Sequence, residues 1–171
     1  GIITLAVSVY ICATLPEMLI RCVNWILAHS FYRLTVNGLE NVPKSGGALL
    51  VCNHTSYSDV SLLLASIDRP IRFLIYRHLY EKKLLNPIVK TMKSIPVGPE
   101  DGPKALVEAF TQAREAIEAG ELVLIFAEGS LTRIGRIIPF SRGLERIMKG
   151  VDAPIIPIFM DQVWGSIFSF R

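Results

Sequence analysis

The sequence predicts a single α/β domain with a largely parallel central sheet flanked by helices, preceded by an apolar N-terminal helical hairpin. Three observations predict it. Short apolar runs bounded by turn residues alternate with longer stretches of helical periodicity, the pattern of strands that need crossover helices between them. Two of those runs, Ala48 to Cys52 and Leu122 to Phe126, stop at polar, loop-forming residues, as strands do when they end at a ligand-binding edge. The 171 residues are 51% hydrophobic, enough apolar material for one compact core.

Residues 1 to 16 carry no charged side chain. As a helix they reach roughly 24 Å, short of a hydrocarbon core of roughly 30 Å. Pro16 then kinks or breaks the path. With no basic n-region and no small-residue cleavage site, the segment does not read as a secretory signal. Residues 17 to 32 form a second helical stretch in which Glu17, Arg21 and Asn24 share one stripe. Met18, Leu19, Ile20, Val23, Trp25, Ile26, Leu27 and Phe31 make the rest apolar. Such a helix is either buried against neighbours or lies in a membrane interface. Residues 1–32 are therefore expected to be a membrane-associating hairpin, with a truncated transmembrane span as the alternative for residues 1 to 15. Residues 33–171 are expected to be the α/β domain.

From Arg33 the pattern changes. Leu34 to Val36 followed by Asn37-Gly38 reads as a strand and turn, and Pro43 to Gly47 as a loop. Ala48 to Cys52 is a buried strand, and Ser56 or Ser58 can N-cap a helix whose apolar part is Val60 to Ala65. Pro70 to Tyr76 is a further strand. A helix is expected over about Leu79 to Lys93, with Lys82, Lys83, Asn86, Lys90 and Lys93 on one face, interrupted by Pro87. That face is either solvated or drawn to anionic lipid headgroups or an acidic carrier protein. Ile95 to Val97 is a short strand and Gly98 to Gly102 a loop. Pro103 opens a helix with Leu106, Phe110, Ala113 and Ile117 on its apolar stripe and Gly120 as its stop. After the strand Leu122 to Phe126 come Arg133, Arg136 and Arg142, a helix from Gly143 to Lys149, and a last strand from Ala153 to Phe159. The two prolines of that strand suit a sheet edge or an irregular end.

Composition excludes several functions. A net charge of +3 gives no electrostatic case for nucleic acid. Cys12, Cys22 and Cys52 have neither C-x-x-C nor Cys/His ligand spacing, so a structural metal is not expected. A mean hydropathy of +0.43 is high for a soluble domain and points to membrane contact. No G-x-S-x-G elbow and no G-x-x-x-x-G-K-[ST] loop occurs. The chain begins with Gly rather than Met and ends abruptly after Phe170-Arg171, so a piece of a longer polypeptide is expected.

The chemistry gathers at two strand ends. His54 falls in a strand-to-helix loop and Asp59 in the first helical turn, five residues later. Through that bend the carboxylate can accept Nδ1–H and leave Nε2 as a proton acceptor. A lone loop histidine is also an ordinary structural residue, and an aspartate at a helix start is favoured by the helix dipole whatever its role. Glu128 and Gly129, at the end of the other strand, would share the edge with His54, and three arginines follow. A base beside arginines suits deprotonation of a hydroxyl on a substrate that carries phosphate. Cys52, two residues before His54, reads as a buried core thiol.

These residues resemble a known family, the glycerolipid (lysophospholipid) acyltransferases. Asn53, His54 and Asp59 match its N-H-x-x-x-x-D motif, Phe126 to Ser130 match F-P-E-G-T in part, and Ala153 to Pro157 look like its V-P-[IV]-x-P strand. Ala127 stands at the usual proline, Leu131 at the usual arginine, and Gly98-Pro99 where a second arginine is usual. The resemblance implies acyl transfer from a thioester, on acyl carrier protein or coenzyme A, to the free hydroxyl of a lysophospholipid. His54 would be the base and Asp59 its orienting partner. Glu128, Gly129, Ser130, Arg133 and Asn53 would contact the acceptor, with neither metal nor cofactor. The stretches Leu131 to Ile147 and Val163 to Phe168 look most like the acyltransferase domains of bacterial 2-acylglycerophosphoethanolamine acyltransferase/acyl-carrier-protein synthetase fusions. That likeness implies transporter-like and adenylate-forming neighbours at the cytoplasmic face of an inner membrane, and a 2-acylglycerophosphoethanolamine acceptor. A 1-acylglycerol-3-phosphate acyltransferase and a catalytically silent lipid- or carrier-binding module are the alternatives.

Overall fold

Five parallel strands form one sheet in the order β3-β2-β4-β1-β5 in a computed structural model that describes residues 1, 4, 7, 10, 16–98, 100, 102–166 and 168–169. The strands are β1 (Ala48–Cys52), β2 (Ile71–Tyr76), β3 (Ile95–Val97), β4 (Leu122–Phe126) and β5 (Ile155–Ile158). The helices are α1 (Pro16–Phe31), α2 (Asp59–Ser66), α3 (Arg77–Tyr80), α4 (Asn86–Thr91), α5 (Gly102–Glu118) and α6 (Gly143–Met148). The first arm of the expected hairpin, with Cys12, lies almost wholly outside the described residues.

β1 and β4 are the sheet's centre, and nearly all their side chains are buried. Alternation along β1 sends Ala48, Leu50 and Cys52 to one face, where they meet Leu63, Leu64 and Ile67 of α2 and its exit. Leu49 and Val51 go to the other, against Ala109, Ala113 and Ile117 of α5 and Ile147 of α6. Burial on both faces explains why these strands read as unbroken apolar runs. Each fully buried leucine contributes about 1.5–3 kcal/mol. β5, the strand with two nearby prolines, is an edge, and β3 is the other.

Three expectations are corrected. Among the described residues, 34–36 pair with no strand: Leu34 packs beside Ala28 and Leu62, but Thr35 and Val36 are exposed and their stretch stays irregular. The helix expected over 79–93 is two short ones, α3 and α4, because Pro87 sits in the first turn of α4 and a turn carries Lys82 and Lys83. The lysines consequently do not form one helical face. Neither serine caps α2 in the expected way: Ser58 occupies the N-cap position without a side-chain bond.

The polar stripe of α1, whose direction the sequence leaves open, points inward. Arg21 donates from Nη2 to the Ile67 carbonyl at 2.7 Å and from Nη1 to the Arg69 carbonyl at 3.0 Å, just past the end of α2. Asn24 donates to the Ser61 carbonyl at 2.8 Å and accepts from the Ser61 hydroxyl at 2.7 Å. Met18, Val23, Trp25, Ile26, Leu27 and Phe31 face outward and are exposed. The helix is thus inverted relative to a soluble amphipathic one. Among the described residues no helix is long and apolar enough to cross a membrane.

Candidate active site

The register Cys52↔Phe126 sets the carboxyl ends of the two central strands level, so the loops that follow them meet. Ala127 N–H donates to the Cys52 carbonyl at 3.0 Å, which carries the pairing one residue beyond the strands. His54 and Glu128, each two residues past its strand, are then neighbours: Glu128 Oε1 accepts the His54 backbone N–H at 2.8 Å.

The loop 53–58 curls so that Asp59, at the start of α2, faces back along the chain. Its Oδ2 accepts His54 Nδ1 at 2.9 Å, Thr55 N–H at 2.7 Å and Ser56 N–H at 3.0 Å. The carboxylate is fully buried and can only accept. Nδ1 therefore carries the proton, and Nε2 keeps a lone pair on a side chain that is 19% exposed. Phe126 fixes the plane of the ring, stacking at 3.8 Å between centroids and 15° between planes. A held, solvent-reachable imidazole with a buried anion behind it is equipped to take a proton from a hydroxyl and to stabilise the resulting charge.

Other expected site residues take different places. Asn53 is buried and clamps β1 to the exit of β5: its Nδ2 donates to the Met160 carbonyl at 3.0 Å and its Oδ1 accepts Met160 N–H at 2.7 Å. Glu128 is also buried, and its second oxygen accepts Ile138 N–H at 3.0 Å. Both residues expected to touch an acceptor are occupied with backbone, because each is a short polar side chain at a crossing of loops whose amides need partners. Gly129 turns the chain at φ 68°, in the left-handed region. Ser130 and Arg133 follow on the exposed side of that turn. Cys52 lies in the core, where burial, reinforced by the charges of Asp59 and Glu128, pushes its thiol far up, so it is no nucleophile.

A cavity of about 340 Å³ opens next to the histidine loop, lined by Asn53, Thr55, Arg136, Ile137, Phe159 and Trp164 among others. Its lining is mixed, with the Arg136 guanidinium and the Asp161 carboxylate among polar and apolar side chains, and such a lining suits an amphiphile. Sequence reasoning noted Arg136 only as one of an arginine-rich stretch. It missed Thr132, whose N–H donates to the His54 carbonyl at 2.9 Å and whose buried hydroxyl donates to the Arg136 carbonyl at 2.7 Å. A threonine in a loop carries no sequence signal for such a role. Among the described residues no cluster of His, Cys, Asp and Glu could hold a metal ion.

Residues 33–161 match the family described as Acyltransferase. The chain is 28% identical over 134 residues to the chloroplastic 1-acyl-sn-glycerol-3-phosphate acyltransferase BAT2 of Brassica napus, covering 78% of this chain and 38% of that protein. It is 28% identical over 120 residues to the 1-acyl-sn-glycerol-3-phosphate acyltransferase of Bacillus subtilis, covering 69% and 57% respectively. Among solved structures, the 1-acyl-sn-glycerophosphate acyltransferase PlsC of Thermotoga maritima shares the fold, with a TM-score of 0.62 at 24% identity over 73% of this chain and 48% of that one. The chain thus spans between about a third and three fifths of the length of these proteins.

Proposed function

The chain belongs to the Acyltransferase family, and on that premise we propose that it moves a fatty acyl group from a thioester to the free hydroxyl of a lysophospholipid. The observation that carries the reading is the buried Asp59 behind Nδ1 of a reachable His54. Nε2 takes the proton as the hydroxyl oxygen attacks the thioester carbonyl. The C–S bond then breaks, the new ester C–O bond remains, and the leaving thiolate recovers the proton from the imidazolium. General-base help of this kind contributes roughly 10²–10⁴ in rate. The donor is a co-substrate, acyl carrier protein or coenzyme A thioester, and the residues named need neither cofactor nor metal.

The names of the relatives support 1-acylglycerol-3-phosphate as the acceptor better than the ethanolamine lipid expected from the sequence. Arg136 in the cavity, with Arg133, Gly129 and Ser130 on the turn above it, would meet the phosphate. One observation favours the second reading, a 2-acylglycerophosphoethanolamine acceptor in a fusion-type protein: half-buried Leu131 stands where the family motif has arginine. The inverted helix α1 supports working at a bilayer surface, with residues 1–32 as the membrane-associating part and 33–171 as the catalytic part. A silent binding module would not need the anion held behind His54.

The test is labelled-acyl transfer to lysophosphatidate and to lysophosphatidylethanolamine, with both donors, beside His54→Ala. We expect transfer to lysophosphatidate, reduced by roughly 10²–10⁴ in the variant. Preference for the ethanolamine lipid would select the second reading. Transfer that survives the substitution would remove His54 as the base.

A further inference from the structure

The loop between Arg133 and Arg142 repeats one pattern: Arg133-Ile134, Arg136-Ile137, then Phe140 and Arg142. All six side chains are exposed, Ile134 at 66%, Ile137 at 54% and Phe140 at 60%. Large apolar side chains held in water at such a density mark a contact surface. They are not the wandering tip of a loose loop. Thr132 binds the Arg136 carbonyl, Glu128 binds Ile138 N–H, and Ser141 N–H donates to the Ala127 carbonyl at 2.8 Å. Gly135 lies so close to Trp164 that a Cβ there would stand 2.6 Å from the indole nitrogen.

We propose that the 133–142 loop is a second membrane contact, inserting Ile134, Ile137 and Phe140 into a bilayer while Arg142, the arginine not used for the acceptor phosphate, binds anionic headgroups. Three features favour a bilayer over a protein partner. Apolar tips interleaved with arginines complement an interface that is apolar inside and negative outside. Phe159, 66% exposed, shares the cavity lining with Ile137, so the apolar material is spread around the mouth of the site and not confined to one groove. The loop is also tied to α1 through the core: Gly135 meets Trp164, and the adjacent, buried Val163 packs on the buried Ala28 of α1, whose opposite face is apolar and exposed. Because Glu128 holds the loop and the His54 amide together, seating the loop would also set the depth of the catalytic imidazole. The inference rests on the reading that the site works at a lipid surface. Its test reads membrane contact and not acyl transfer, so each can fail alone.

An environment-sensitive NBD probe is attached through Phe140→Cys in a Cys12→Ser, Cys22→Ser background, where the remaining Cys52 is buried. A second protein carries the probe through Ile26→Cys on the outer face of α1. Both are mixed with vesicles of phosphatidylcholine, with and without phosphatidylglycerol. We expect the residue-140 probe to shift to the blue and to be quenched by doxyl lipids, more strongly with phosphatidylglycerol. Ile134→Ser with Phe140→Ser should weaken flotation with those vesicles by about tenfold or more. A residue-26 probe that enters the bilayer while the residue-140 probe stays in water would overturn the proposal. So would a blue shift produced by acyl carrier protein and not by vesicles, which would assign the loop to that acidic partner.

Discussion

Glu128 holds two loops together and is not free to touch a ligand with either oxygen alone. Its two oxygens join the amides of His54 and Ile138, one from each loop of the site. Glu128→Gln keeps the shape but turns an NH₂ toward one of those amides, and an unsatisfied buried donor costs about 1–3 kcal/mol. We expect kcat to fall by about tenfold, the rate equivalent of about 1.4 kcal/mol, with KM for the acceptor little changed. A residue that bound the acceptor phosphate would instead raise KM, and steady-state kinetics separates the two. Asp59 follows the same logic. Two amides beside the imidazole fix its carboxylate, so its orientation does not depend on the histidine it serves.

At the scale of elements, α1 carries two independent jobs on its two sides. Asn24→Ala removes both bonds to Ser61, and at about 0.5–1.5 kcal/mol each the denaturation midpoint should fall measurably. Trp25→Ser with Ile26→Ser touches only exposed positions, 52% and 53% accessible, and should leave stability nearly unchanged. It should nevertheless weaken vesicle flotation by tenfold or more, since each large apolar side chain taken from water contributes about 1.5–3 kcal/mol. Parallel urea titrations and flotation assays on the two variants check this division. Opposite results would mean that the apolar face packs on protein. The two short helices α3 and α4 show the reverse economy: Pro87 divides what lysine spacing presents as one face, and local chemistry overrides periodicity.

At the scale of the whole molecule, α5 comes close to the backbone that enters β1, at the end remote from the site. Gly47 lies against the final turn of α5, and a Cβ there would run into the Ile117 carbonyl. Gly47→Ala must push α5 off the sheet, and such overpacking costs about 1–3 kcal/mol or more. The urea midpoint should drop, while kcat of the folded protein should change little because His54 lies beyond the opposite end of the strand. A large loss of kcat without loss of stability would contradict this separation of scaffold and site.

The alternation of buried runs with helical stretches was enough to read the parallel sheet and the helices α1, α2, α5 and α6, because strands buried on both faces must be apolar throughout. His54 and Asp59 were legible as a pair for a local reason: five residues across a strand-to-helix bend leave the carboxylate within reach of the ring. What lay far apart in the chain was not legible. Glu128 and Asn53 read as acceptor contacts, yet the structure assigns them to amides 10 and 107 residues away. Thr132 gave no signal at all. The inward turn of the polar stripe on α1 was equally hidden, since periodicity reports which residues share a face and not which way the face points. The sequence by itself determined the fold class and the His54–Asp59 pair, both products of local spacing and burial. Only the tertiary structure decided which polar groups were left for a substrate, because that depends on which backbone amides the crossing loops bring to them.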